Sequence, residues 1–250
     1  FSRIDFKISP DLCAKENIGI LKNETIAPIF GDQKLTERPL IVGTGPAGLF
    51  CALLLSEYGY RPIVIEKGGN IAERKAAVRL FNTEHILDAS CNIQFGAGGA
   101  GTFSDGKLTT RINDPLCRFV LETFVQFGAP SDILKKAKPH IGTDRLKGVV
   151  ASIRNEIIRL GGTVLFETRV TELIVRGNRV EGVKVIHKGE EREILTDSVL
   201  LAIGHSARDT MQRLFNQGVM MVQKPFAMGV RIEHPQSLIS QAQYGKAWQH

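Results

Sequence analysis

No block of five or six like charges, no close pair of cysteines and no unbroken apolar run able to span a bilayer occurs in these 250 residues. Each absence excludes a class of protein. Without a basic arm, the net charge of +6 and the pI near 9.2 do not demand nucleic acid as a partner, although they leave it open. The four cysteines stand apart at positions 13, 51, 91 and 117, so neither a CxxC metal site nor a disulfide framework is expected. Isolated thiols suit a reducing, cytoplasmic setting. The uncharged stretch Pro39 to Ser56 has 18 residues, but three glycines and two prolines interrupt it. A spanning helix would lose hydrogen bonds at those points, whereas a strand followed by a buried helix uses each one. Phe1 to Asp5 lack the basic region and apolar core of a secretion signal, and no Met opens the chain, so a fragment or processed product is expected.

What is present is 43% hydrophobic residues and 25 glycines, which fit one or two soluble α/β domains with many tight turns. The stretch that organises them runs from Pro39 to Gly68. Leu40 to Val42 reads as a strand, Gly43-Thr44-Gly45-Pro46-Ala47-Gly48 as a tight turn into a helix, and Ile63 to Ile65 as a second strand with Glu66 at its tip. This is the pattern of a dinucleotide-binding βαβ unit. Gly43 turns the chain out of the strand, Gly45 clears the approach of a pyrophosphate, and Gly48 allows close helix packing. The helix N-terminus beginning near Pro46 aims free N–H groups and a positive dipole end at the phosphates. Glu66, 18 residues after Gly48, stands where a carboxylate accepts hydrogen bonds from ribose hydroxyls.

A charged helix is expected around Ile71 to Phe81. A second glycine-rich segment follows, with five glycines between 96 and 106. That density predicts a loop that can wrap an anion or a flat ring with its main chain, with Lys107 adding a cation and Phe95, Phe103 and Leu108 as anchors. Asp114-Pro115 and Gly128 bound a helix carrying Leu116, Phe119, Val120, Phe124 and Phe127 on one side. A further helix from Gly142-Thr143 to Gly161-Gly162 places Leu146, Val149, Val150, Ile153, Ile157 and Leu160 at steps of three and four. From Thr163 the period shortens. Val164 to Phe166 would extend a parallel sheet, and Arg169 to Val175, Arg179 to Ile186 and Glu193 to Leu195 would form an antiparallel meander. Ser198 to Gly204 reads as a buried strand, which would set Gly204 and His205 on the same rim as Gly43 and Glu66. An amphipathic helix to about Gln217 follows, and Pro225 to Pro235 reads as one more strand and a helix start.

With these segments placed, the chain resembles the family described as uncharacterised FAD-dependent dehydrogenases, within the two-domain flavoproteins of the glutathione reductase type. The resemblance spans roughly residues 38 to 245. It is carried by Ile41 to Phe50, Gly98 to Leu108, Lys138 to Thr143, Gly204 to Thr210 and Gly229 to Pro235. It implies an α/β fold: an FAD/NAD(P)-binding Rossmann-like parallel sheet, an antiparallel β-meander crossover and the start of a second, substrate domain. The implied organisation is an N-terminal segment 1–37 of no assigned role, an FAD-binding domain 38–205 with a helical insertion about 70–140 and the meander 169–195, and an incomplete cap domain 206–250.

The implied cofactor is FAD, with NAD(P)H as an electron donor. Gly43, Gly45, Pro46, Ala47 and Gly48 would hold the pyrophosphate, and Glu66 and Lys67 the adenosine ribose. Gly98, Gly99, Ala100, Gly101, Thr102, Ser104, Asp105, Gly106 and Lys107 would line the ribityl chain and flavin. Val170 would meet the adenine by its backbone, and Gly204 with His205 would close the site. No metal is implied, and the catalytic candidates are Lys107 and His205. Two departures stand out: Ala97 occupies a position where the family suggests an acid, and no terminal glycine-acid motif follows Gly204, so the C-terminal third is expected to be missing. Only Cys91 lies near the place of a disulfide reductase's dithiol, which disfavours that chemistry. The expected activity is oxidation or reduction of a small molecule. A tRNA-modifying flavoprotein and an NAD-linked dehydrogenase without flavin are the alternatives.

Overall fold

The computed structural model describes residues 31–249 apart from 33, 104, 105, 111 and 113. The expectations for residues 1–30, for Ser104 and for Asp105 lie outside the described residues. The described chain forms two compact units that divide after Gln217.

The first unit is built on four short parallel strands: β1 (Leu40–Val42), β2 (Ile63–Ile65), β3 (Thr163–Leu165) and β7 (Val199–Leu201), in the order β3-β2-β1-β7. Leu40 pairs with Ile63 on one side and with Val199 on the other. A strand flanked on both sides and covered on both faces needs apolar residues throughout, and β1 is Leu-Ile-Val, entirely buried. Successive side chains point to opposite faces, so the strand feeds two cores. Ile41 and Val64 enter the core formed with α1 (Pro46–Glu57), α3 (Pro115–Gln126) and α4 (Thr143–Arg159), where Leu49, Leu53, Phe124, Val149, Ile153 and Ile157 meet. Leu40, Val42 and Ile65 enter the other, beneath the antiparallel meander of β4 (Thr168–Arg176), β5 (Arg179–His187) and β6 (Glu190–Leu195). The buried residues Val170, Val183 and Val185 supply the meander's share. The unit is thus helix, parallel sheet, meander, in three layers.

Local chemistry explains the ends of the elements. Asn70 caps α2 (Ile71–Glu84) with a reciprocal Asn70–Glu73 capping box. Asp114 caps α3 through Leu116 N–H at 2.8 Å, with Pro115 in the first turn. The side chain of Gln217, just past α5 (Arg208–Asn216), bonds both the N–H and the carbonyl of Leu173 at 3.0 Å, fastening α5 to β4.

Four expectations change. The strand expected over Ser198 to Gly204 shortens to β7 at the sheet edge, where Leu200 and Leu201 remain 40% and 39% exposed because only one flank is covered. The second glycine loop is not wholly irregular, since Ala100–Phe103 makes a 3₁₀ turn. Leu116 lies outside the α3 core face and is exposed, because it sits in the first turn beyond the layer that Phe124 reaches. Within the second unit, residues 218–234 carry no regular structure where a strand was expected. A strand requires a neighbouring backbone to bond, and among the described residues none pairs with this segment. The helix start near Pro235 is present as α6 (Gln236–Tyr244). No helix of the described residues is long and apolar enough to cross a membrane.

Candidate functional site

The three layers leave a cavity of about 340 Å³ at the carboxyl ends of β1, β2 and β7. Its walls come from the Gly43–Ala47 turn, Glu66 and Lys67 after β2, the Gln94–Ala100 loop, Thr168 to Val170 of β4 and Ala202 to Thr210 after β7. An open parallel sheet puts its ligand crevice in this place.

The three glycines of the first turn differ in why they are glycine. Gly43 has φ +104, and a side chain there would meet the Ala202 carbonyl at 2.5 Å. At Gly48 an added Cβ would lie 1.9 Å from the Gly43 carbonyl oxygen, so this position seats the helix against the turn. Gly45 has an ordinary φ of −68°, and a Cβ there would meet no protein atom within 4 Å. Neither backbone nor packing demands glycine at 45. The open space beside it is the cavity that Gly45 lines. Gly45 also caps α1 without a side-chain bond, and the first turn of that helix holds no acid, so its N–H groups face the cavity without a built-in anion.

Glu66 is buried, and three protein donors engage its carboxylate. Oε2 accepts from Thr44 N–H at 2.9 Å and from the Thr44 hydroxyl at 2.6 Å, and Oε1 accepts from Gly68 N–H at 2.9 Å. These contacts lock Glu66 to the first glycine turn. A carboxylate offers about four acceptor positions, so Oε1 keeps roughly one beyond these three protein donors. Beside it, Lys67 Nζ sits 4.3 Å from the centroid of the Phe95 ring, and both residues line the cavity.

The second glycine loop is held from beneath by Arg74 of α2. Arg74 is fully buried, and its guanidinium donates to the carbonyls of Asn92, Ile93, Ala97 and Gly99 at 2.7 to 2.9 Å and of Gly96 at 3.3 Å. Phe103 closes over it with its ring centroid 4.6 Å from the guanidinium carbon. Burial pulls the Arg74 pKa down, and the nearby Glu66 charge acts in the opposite direction. Gly96 permits this approach, because an added Cβ would lie 2.7 Å from Arg74 Cδ.

Of the residues singled out in the sequence, the cavity gathers Gly43, Gly45, Pro46, Ala47, Glu66, Lys67, Gly99, Ala100, Val170, Gly204 and His205. Others stand elsewhere for definite reasons. Gly48 lies under the turn. Thr102 is fully buried, with its hydroxyl unpartnered. Gly98, Gly101, Gly106 and Lys107 line a second, apolar cavity of about 330 Å³ between the loop and Leu49, Phe50, Phe124, Leu146, Val150 and Ile153. The loop is therefore a wall with two faces, and its far end is sewn to the approach of α4. Lys107 bridges to His140, and Gly106 sits against Gly142. The N-cap of α5 is Ala207, and His205 before it has its Nε2 3.2 Å from the Ser206 hydroxyl. Ala97 is buried, and the guanidinium of Arg74 bonds its carbonyl, so the position where an acid was suggested is occupied by packing.

Sequence reasoning missed Gln94, Thr168, Arg169, Ile203 and Thr210 as lining residues, and it missed Arg74 altogether. Thr168 and Arg169 come from β4, Ile203 and Thr210 from the segment after β7, and Gln94 from the second glycine loop, so tertiary packing brings them together. A buried arginine within a charged helix leaves no periodic signal.

Comparison with known proteins gives two family matches. Residues 41–101 match the NAD(P)-binding Rossmann-like domain, and residues 225–250 match the C-terminal domain-like family of FAD-dependent proteins. These matches agree with the resemblance to FAD-dependent flavoproteins and support FAD as the cofactor. A protein of Clostridium beijerinckii described as uncharacterized is 48% identical over 220 residues, covering 88% of this chain and 40% of its own length. The chain thus spans about two fifths of that relative. Among solved structures, THI4 of Thermovibrio ammonificans superposes with a TM-score of 0.50 at 17% identity, over 74% of this chain and 64% of that one. At that identity the likeness concerns the fold. Glycerol-3-phosphate dehydrogenase from Bacillus halodurans, complexed with FAD, has a TM-score of 0.45 at 15% identity, over 71% of this chain and 36% of that one.

Proposed function

We propose that this chain is the dinucleotide-binding part of an FAD-dependent oxidoreductase that acts on a small molecule, with FAD held in the cavity between Gly45 and Gly204. The observation that carries the reading is Gly45, a glycine that neither conformation nor packing requires, facing the cavity at the N-terminus of α1. The α1 N–H groups and Gly45 would take the diphosphate. Oε1 of Glu66 would take one ribose hydroxyl while Oε2 stays with Thr44, and the Val170 backbone would face the adenine. Gly99 and Ala100 would meet the ribityl side. A bound flavin supplies the two-electron chemistry, and the protein supplies position and electrostatics. His205, on the cavity wall, is the residue placed to hold or move a proton. The free thiols Cys51, Cys91 and Cys117 support a reducing, cytoplasmic compartment.

A second reading is an NAD-linked enzyme without flavin, favoured by the NAD(P)-binding match over residues 41–101. The visible spectrum of the protein purified through extensive dialysis separates the two. Bands of oxidised flavin that bleach on adding NADH or NADPH are expected. A colourless protein that retains NADH, and takes up no FAD when it is supplied, would replace the first reading with the second.

A further inference from the structure

Arg74 lies outside the cavity, yet it holds the wall that faces it. Its guanidinium accounts for five carbonyls of the Asn92–Gly99 loop, and for two of them the direction of the next amide follows at once. In a planar trans peptide, the N–H of residue i+1 points away from the C=O of residue i. The Ala97 carbonyl points to Arg74 at 2.7 Å, so the Gly98 N–H points away, and it donates to the Thr44 carbonyl of the first glycine turn at 2.9 Å. The Gly99 carbonyl also points to Arg74 at 2.7 Å, so the Ala100 N–H points away in the same manner. Gly99 and Ala100 line the cavity. The first of these peptides joins the two glycine segments, and the second turns its N–H away from Arg74 at two residues that line the cavity.

We propose that Arg74 is a positioning residue whose guanidinium, by fixing the Gly99 carbonyl, presents the Ala100 N–H as a hydrogen-bond donor to an oxygen of the bound dinucleotide. The proposal rests on the FAD reading above. A guanidinium suits the task because its five donors form a rigid fork, whereas a lysine ammonium at the same place has three and no plane. Phe103 over the guanidinium face and Gly96 beside its stem complete the seat.

The test is a double-mutant cycle on the 250-residue chain, read as FAD affinity by quenching of flavin fluorescence, with circular dichroism melts to confirm folding. Arg74→Lys keeps the charge and loses the fork. Ala100→Pro removes the amide donor at the first position of a 3₁₀ turn, where proline fits, and does not touch Arg74. Each single variant is expected to bind FAD at least tenfold more weakly, and the double variant no more weakly than the worse single, since both remove one hydrogen bond. A purely structural arginine would instead give losses that multiply, and that result overturns the proposal, as does FAD binding unchanged in Arg74→Lys. Where Arg74→Lys does not fold, Phe103→Leu takes its place in the cycle, with the same non-multiplying pattern expected. Wild-type chain that takes up no FAD overturns the cofactor reading instead, and the two failures are distinct.

Discussion

At the scale of single residues, Gly45 and Gly48 make a controlled pair, since both belong to one motif and only one is required by the protein itself. Gly45→Asp supplies a good N-cap and adds a carboxylate near the helix N-terminus, so stability is expected to hold or rise by up to about 1 kcal/mol. FAD affinity is expected to fall at least a hundredfold as charge and bulk fill the diphosphate space, which a flavin fluorescence titration measures. Gly48→Ala drives a Cβ into the Gly43 carbonyl and should cost about 1 to 3 kcal/mol in urea unfolding. The sequence showed both glycines and their spacing. It could not show that the Glu66 carboxylate is already shared with Thr44 and Gly68, because those contacts depend on where the turn returns in space. Arg74 was hidden for a similar reason, its partners being backbone carbonyls of a loop without period.

Among the elements, those with strong periodicity were legible: α4 from its steps of three and four, the meander from its turns at Gly177 and Gly189, and β1 from its unbroken apolar run. Elements whose character depends on neighbours were not. The sequence of β7 is as apolar as that of β1, and its place at the sheet edge leaves two leucines exposed. Burial within the elements also sets a pH response. Burial pushes up the Cys51 thiol in α1, and it pushes up the Cys91 thiol beyond α2, where an N–H of Gly69 opposes it in part. The folded protein therefore keeps both thiols neutral while the unfolded chain ionises them near pH ~8.5. The contribution of these two thiols to stability should be flat below that pH, fall as pH rises through it, and level once the folded-state values are passed. The urea midpoint of a Cys51→Ala, Cys91→Ala double variant, followed from neutral to alkaline pH, is expected to show a shallower decline than the wild type.

On the scale of the whole molecule, every residue lining the proposed FAD cavity lies in the first unit, whereas residues 218–234 of the second have no regular structure. Among the described residues, limited proteolysis should therefore cut first within 218–234 and leave a fragment that binds FAD with the affinity of the intact chain. Mass spectrometry of the fragments and a flavin titration check both parts; a first cut inside the Gln94–Ala100 loop, or loss of binding with the second unit, would contradict the assignment. The three-layer topology also has a consequence for synthesis. Leu40 of β1 takes as neighbour Val199, 159 residues later. At about 5 to 20 residues per second, translation needs roughly 8 to 32 s to deliver that partner. Throughout that interval the edge of β1 that awaits Val199 stays open, an unpaired template on which the nascent chain could pair wrongly.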